Sequence, residues 1–381
     1  MKLRRLLGLV AAILSLSFLF VQPTSAAETH APAPALVEDP AGVLRLPEGL
    51  KYKEIVDWSA WLDWGLARGV DLQKPDMNVY IPLKTPLPDG TVGYLFTNHE
   101  TNNKMGGVTR VALDRSFNML GEPMIVLANL SKPCSGNLTP WGTILVGEES
   151  VDGYVWEIEP LSGSARPVKG LGRYAHETGV VDPHTGEVWS TDDANDPAKG
   201  RGAIYKFTPD SYGDLSSGKL YALDAANRRW IPIDNPELAT AEAKAKGATF
   251  YVKPEDAEFG PDGRVYLSIS ETDQDGLHWG RVISVHPKSL QVKDFAVGSQ
   301  DGLNMPDNLA FDSKGRLYIV EDSNFTNQVW VAERSGRIRL FADLVSGEVS
   351  GPWFTPDFKA MILSLQTPHH KTVVITGFDK K

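Results

Sequence analysis

Pro261-Asp262-Gly263-Arg264-Val265-Tyr266-Leu267-Ser268-Ile269-Ser270-Glu271 reads as a turn, then a strand, then an acid, and the same plan recurs along the chain. Proline presets φ and glycine tolerates the left-handed position, so Pro-Asp-Gly reverses the chain. Val, Tyr, Leu and Ile then favour an extended backbone. A first copy runs from Pro88-Asp89-Gly90 through Tyr94-Leu95-Phe96 to Asn98-His99-Glu100, and a second from Pro140-Trp141-Gly142 through Ile144-Leu145-Val146 to Glu148-Glu149. A third passes from Pro183 and Gly186 through Val188-Trp189 to Asp192-Asp193. A fifth links Ser313-Lys314-Gly315, Leu317-Tyr318-Ile319 and Glu321-Asp322, and a sixth links Thr355-Pro356-Asp357, Met361-Ile362-Leu363 and Gln366.

Copies spaced roughly 40 to 80 residues apart suit propeller blades with insertions, whereas solenoid repeats are shorter. The expected fold is therefore all-β, a six-bladed β-propeller with short helical insertions, in preference to a sandwich or two separate β domains. Equivalent strands around one channel would gather their polar ends on one face. Helices are expected at Glu54–Gly69, where Trp58, Trp61 and Trp64 have helical spacing, and at Glu237–Lys246. Lys2, Arg4 and Arg5 precede an apolar run from Leu6 to Val21 that ends in Ser25-Ala26-Ala27, the layout of a cleaved export signal over 1–26. Arg4-Arg5 leaves open whether export follows the twin-arginine or the unfolded route. A Pro- and Ala-rich stretch follows over 27–49 and reads as a flexible lead, with one propeller domain over 50–381. A periplasmic or extracellular destination follows, with no stable membrane insertion, and a monomer is expected.

The net charge of −10 comes from 48 acidic against 38 basic residues, and the basic residues are scattered, which argues against nucleic acid as a partner. Cys134 is the chain's single cysteine and cannot form an internal disulfide. It lies in the turn-like context Lys132-Pro133-Cys134-Ser135-Gly136-Asn137. A metal-bound thiolate and a small buried hydrophobe both account for it.

Acids placed directly after apolar strands are costly to bury unless something positive sits among them. Glu100, Glu149, Glu177, Glu255, Glu258, Asp307, Glu321 and Asp322 offer hard oxygen ligands suited to calcium and ferric iron, and a thiolate joining them points to a mixed or redox-capable centre. Arg173-Tyr174-Ala175-His176-Glu177 and Lys253-Pro254-Glu255-Asp256 each set a cation beside carboxylates, as a site holding both metals and phosphate oxygens requires. Ordinary salt bridging explains Arg173 equally well.

Taken in order, several stretches resemble the PhoX family of bacterial alkaline phosphatases. They are Thr97-Asn98-His99-Glu100, Cys134-Ser135-Gly136-Asn137-Leu138-Thr139-Pro140-Trp141-Gly142-Thr143, Glu148-Glu149, Ala175-His176-Glu177, Lys253-Pro254-Glu255, Met305-Pro306-Asp307-Asn308-Leu309-Ala310-Phe311-Asp312 and Gly351-Pro352-Trp353-Phe354-Thr355-Pro356-Asp357. The resemblance implies a six-bladed propeller with two ferric ions bridged by an oxide and the cysteine, and calcium beside them. By motif match the ligands are Cys134, Glu149, Glu177, Glu255 and Asp307, with Glu100 as a further candidate, and Lys253 stands where the family pattern faces the substrate; Arg173 is a second expected substrate contact from its place beside carboxylates. The implied activity is hydrolysis of a small-molecule phosphate monoester to an alcohol and phosphate. The chain departs from the family pattern where arginine usually precedes Pro-Glu and Lys253 stands here, and where Gln-His-Pro-Gly is replaced by Gln366-Thr367-Pro368-His369-His370. A calcium-dependent lactonase-like propeller shares Pro306-Asp307-Asn308 without needing a cysteine, and a non-enzymatic calcium-binding surface propeller is the remaining alternative.

Overall fold

In the computed structural model, each of the six sequence copies is the second strand of a four-stranded antiparallel blade. The structure describes residues 35–38, 42–193, 201–270, 279–323 and 326–378. The proposed export signal, most of the residues just after it, and Glu271 lie outside them. Blade I contains Pro75–Pro82, Gly93–His99, Gly106–Leu113 and Met119–Leu130, and blade II contains Pro133–Leu138, Ile144–Glu148, Val155–Ile158 and Ala165–Pro167. Blade III runs His176–Val181, Val188–Asp192, Gly202–Ser211, Asp214–Asp224, with Arg229–Ile233 added at its edge. Blade IV is Pro254–Phe259, Val265–Ile269, Arg281–Val285 and Val292–Val297, and blade V is Pro306–Phe311, Leu317–Glu321, Gln328–Ala332 and Ile338–Leu344. Blade VI joins Val349–Phe354, Ala360–Leu365 and Lys371–Thr376 to Lys51–Asp57, so residues from opposite ends of the domain close the ring.

The first strand of every blade is the innermost, and each touches the first strands of its two neighbours around a closed circle. Second strands are buried on both faces because a blade packs on each side of them. In blade II, Ile144 and Val146 enter the apolar cluster shared with blade I, while Leu145 enters the one shared with blade III. Blade V divides likewise, with Leu317 and Ile319 facing blade IV and Tyr318 and Val320 facing blade VI. This is the period-two alternation of a strand, with apolar residues on both faces. Each such side chain contributes about 1.5–3 kcal/mol by leaving water.

Two expectations are refined. The fold begins before Leu50, because Leu44–Pro47 pairs with Ile338–Leu344 and Leu36–Glu38 pairs with it in turn, extending blade V. Leu44 and Leu46 are buried between blades V and VI, so the reading of 27–49 as a flexible lead is corrected for these residues. Polar and apolar residues alternate over this stretch too briefly to stand out as a strand. The first helix is shorter than expected: Lys51–Asp57 is strand, and a single helical stretch follows over Trp58–Trp61 and Leu62–Leu66. Trp58 is buried, and Trp61 and Trp64 pack with it between blades VI and I. The second helix forms at Ala239–Ala245. No helix among the described residues is long and apolar enough to cross a membrane.

Candidate metal centre

The same backbone device opens the inner strand of every blade. The amide just past the second strand donates to the carbonyl just before the inner strand: Glu100 to Lys74, Glu149 to Lys132, Asp193 to Ala175, Ser270 to Lys253, Asp322 to Met305 and Gln366 to Glu348, at 2.8–3.1 Å. A bulge follows at once, since the pairing register shifts between Pro75 and Asn78, Pro133 and Gly136, His176 and Thr178, Pro254 and Ala257, Pro306 and Leu309, and Ser350 and Trp353. Bulges re-aim side chains. Proline suits the first position because it cannot donate to the ladder. Lys132, Lys253 and Met305 turn the chain into it with φ of 47°, 45° and 47°, a costly backbone for residues with a Cβ.

The bulges hold Asp76, Cys134, Glu177, Glu255 and Asp307 in blades I to V, and Gly351 in blade VI. Glu100, Glu149, Asp193 and Asp322, at the ends of second strands, stand beside them. Ligand atoms of Asp76, Glu100 and Cys134 lie within 4.8 Å of one another, as do those of Cys134, Glu149 and Glu177, and those of Glu177, Asp193 and Glu255. The three groups share Cys134 and Glu177 and so form a continuous arc over blades I to IV. Cys134 Sγ donates to Glu149 Oε2 at 3.0 Å.

Three lysines reach into this arc. Lys132 pairs with Glu149 and lies 3.4 Å from Glu100, Lys74 lies 3.5 Å from Glu100, and Lys253 lies 2.7 Å from Glu255 and 3.5 Å from Asp322. They do not offset the acids. Burial, followed by the charges of Glu149, Glu255, Asp307 and Asp193, pushes the Glu177 carboxyl well above the usual range. Burial and neighbouring acids act alike on Asp76, Asp193 and Asp307. Glu255 is pushed up to about 7, burial outweighing the pull of Lys253. The Cys134 thiol is raised by burial and then by Glu177 and Glu149. For Lys132 and Lys253, burial opposes the charge and the surrounding acids overcome it, so both ammonium groups are held.

The donor set therefore fits multivalent cations. Its carboxylates repel one another with too little compensating charge, and the buried Asp193 Oδ1 has no hydrogen-bond partner among the described residues. Oxygen ligands suit a hard ion, and the thiol adds affinity for iron.

The structure brings together Glu100, Cys134, Glu149, Glu177, Glu255, Asp307 and Lys253. It does not bring Arg173 to them. That guanidinium pairs with Asp152 at 3.2 Å and Glu237 at 3.9 Å and lies over the Tyr154 ring, the salt bridging that was the alternative reading of this residue. Glu321, one of the oxygen donors offered by the sequence, is bonded within its own blade. Its carboxylate accepts from Asn304 N and Trp330 Nε1, each at 2.7 Å. Successive strand residues face opposite ways, so where Asp322 faces Lys253, Glu321 faces the blade interior; Glu148 and Glu149 divide likewise. Glu258 opposes Tyr266 in the strand ladder, with Asp256 as its charged neighbour, and belongs to none of the three groups. Sequence reasoning missed Asp76 and did not select Asp193. The first had a signal: Pro75-Asp76 matches Pro133-Cys134, Pro254-Glu255 and Pro306-Asp307.

A family model described as alkaline phosphatase PhoX matches residues 150–369. The matched stretch contains Glu177, Asp193, Glu255 and Asp307 and begins one residue after Glu149, so Cys134 rests on geometry. No curated protein sequence matches. Among solved structures, a gluconolactonase from Xanthomonas campestris aligns with a TM-score of 0.52 at 13% identity, over 91% of this chain and 98% of that one. A candidate gluconolactonase from a structural-genomics programme aligns with a TM-score of 0.52 at 13% identity, over 90% and 98%. At these identities the likeness is one of fold.

Proposed function

The chain belongs to the PhoX alkaline phosphatase family, and from that premise we propose that it hydrolyses small-molecule phosphate monoesters to an alcohol and inorganic phosphate. The observation that carries this reading is the arc of buried carboxylates joined through Cys134, with lysines at its edge. Glu100, Cys134, Glu149, Glu177, Glu255 and Asp307 would hold two ferric ions and calcium, and Asp76 and Asp193 would complete the set. Bound there, such ions polarise the phosphoryl oxygens and make an attacking water more acidic.

The protein's own contribution is placement and charge. The bulges fix five of the candidate ligands on the packed inner strands of blades I to V, and the others stand just past the second strands, so little reorganisation is needed as charge moves in the transition state. Lys253 supplies a compact positive charge that meets a phosphoryl oxygen, where an arginine would present a planar fork. The reaction adds water across the ester P–O bond: oxygen goes to phosphorus and a proton to the leaving alcohol. The protein acts after export, with residues 1–26 removed, as a monomer without nucleic-acid or membrane partners.

Elemental analysis of protein purified from its native compartment, paired with a phosphomonoesterase assay and a lactonase control, tests this reading. Iron and calcium together with chelator-sensitive phosphate release are expected. Full hydrolytic activity in metal-free protein, or lactone hydrolysis without phosphate release, refutes it.

A further inference from the structure

The three lysines at the arc occupy one equivalent position. Lys74, Lys132 and Lys253 each precede the inner-strand proline of their blade, and the carbonyl of each accepts the amide of the residue just past the second strand. Blades III, V and VI place Ala175, Met305 and Glu348 there, so the backbone does not require a lysine. Lys132 reaches two residues of the 4.8 Å groups: it pairs with Glu149 and lies 3.4 Å from Glu100, whose two neighbours in its group are Asp76 and Cys134. Its side chain retains 24% exposure, so it reaches both the buried acids and solvent at the mouth.

Glu149 Oε2 cannot offer the same electron pair to an ammonium proton and to a metal ion. We infer that Lys132 is an exchangeable counter-ion. It offsets part of the charge of Glu149 and Glu100 in the metal-free protein, releases them when cations bind, and then serves as a second anion-binding group for the phosphate, beside Lys253. The inference rests on the metal reading above. The physics is competition: a flexible four-carbon stem with a compact charge can leave one anion for a nearby one without moving the backbone. Before loading it offsets part of the repulsion among buried carboxylates, and after loading it faces a site whose negative charge the ions have largely cancelled.

The two halves of this role have opposite signs, which makes them testable on one variant. In Lys132→Met, Ca²⁺ affinity of the metal-free protein, measured by titration calorimetry, should rise about tenfold, the scale of one lost charge-assisted contact. Inorganic phosphate affinity of the metal-loaded protein should fall by about tenfold or more. Thermal unfolding of the metal-free form should occur at lower temperature than in the wild type, with the loaded forms alike. Lys132→Gln, which can still hydrogen-bond Glu149, carries the same expectations if Lys132→Met does not fold. Wild-type protein that binds metal and phosphate, with variants that bind both equally well, overturns the counter-ion role and leaves the metal reading standing. Tighter Ca²⁺ binding with unchanged phosphate binding overturns the exchange. Wild-type protein that binds neither iron nor calcium overturns both.

Discussion

Glu148 and Glu149 are adjacent in sequence, yet opposite consequences are expected for their substitution. Glu148 faces the blade interior, where its carboxylate accepts from Ser131 N at 3.0 Å and Trp156 Nε1 at 2.9 Å. Glu149 faces the arc, against Lys132 and Cys134. Glu148→Gln turns one carboxylate oxygen into a donor, so one of these two donors is left facing another. A buried donor without an acceptor costs about 1–3 kcal/mol, and the remaining bond loses its charge assistance, for a total of about 2–4 kcal/mol. For a domain of this size, that lowers the unfolding midpoint on the order of 5 °C. Metal content should stay at the wild-type level. Glu149→Gln removes a negative charge from a crowded acidic group while Lys132 keeps Glu100 at 3.4 Å, so the metal-free midpoint should move by less than about 2 °C. Its metal content should fall. Calorimetric scans of chelated protein and elemental analysis of the same reloaded samples measure both quantities. If Glu148→Gln strips the metal, or Glu149→Gln keeps it in full, the assignment of facing by strand alternation is wrong.

If Lys253 meets phosphate, Lys253→Ala should lower kcat/KM roughly 10- to 1000-fold, the range for losing a charged contact in the transition state, and Lys253→Arg should retain activity; wild-type rates in Lys253→Ala would exclude the contact. Gly351 has φ of +58°, and a Cβ there would lie 2.2 Å from the Asp76 carbonyl oxygen, so Gly351→Ala should destabilise the blade VI–blade I junction by more than about 1 kcal/mol, read as a lower denaturant midpoint. Leu44 is fully buried between blades V and VI, and Leu44→Ala should cost about 2–5 kcal/mol; unchanged stability would mean that this strand does not belong to the folded domain. The iron–thiolate bond should give a visible absorption band that Cys134→Ser removes or shifts, and colourless wild-type protein with full iron occupancy would exclude that bond.

The blades, and most of the candidate ligands, were legible in the order of residues alone. Turn residues and β-branched runs are local signals, and six copies of one local plan require one ring. The acids at strand ends stood out because charge directly after an apolar strand must be accounted for, and Cys134 because a lone thiol in a chain read as exported would need protection. Three matters were decided only by tertiary structure. The first is which of two adjacent acids faces the channel: Glu321 and Asp322 are equivalent in composition, and only the strand register sends one to Trp330 and the other toward Lys253. The second is Asp76, whose side chain meets Glu100 and Cys134 because a bulge in blade I turns it inward, and a bulge has no composition of its own. The third is Arg173, which sits three residues before the inner-strand bulge that presents Glu177 but is drawn to Asp152 and Glu237. Nearness along the chain fixes which groups can meet, whereas burial, register and competing partners decide which ones do.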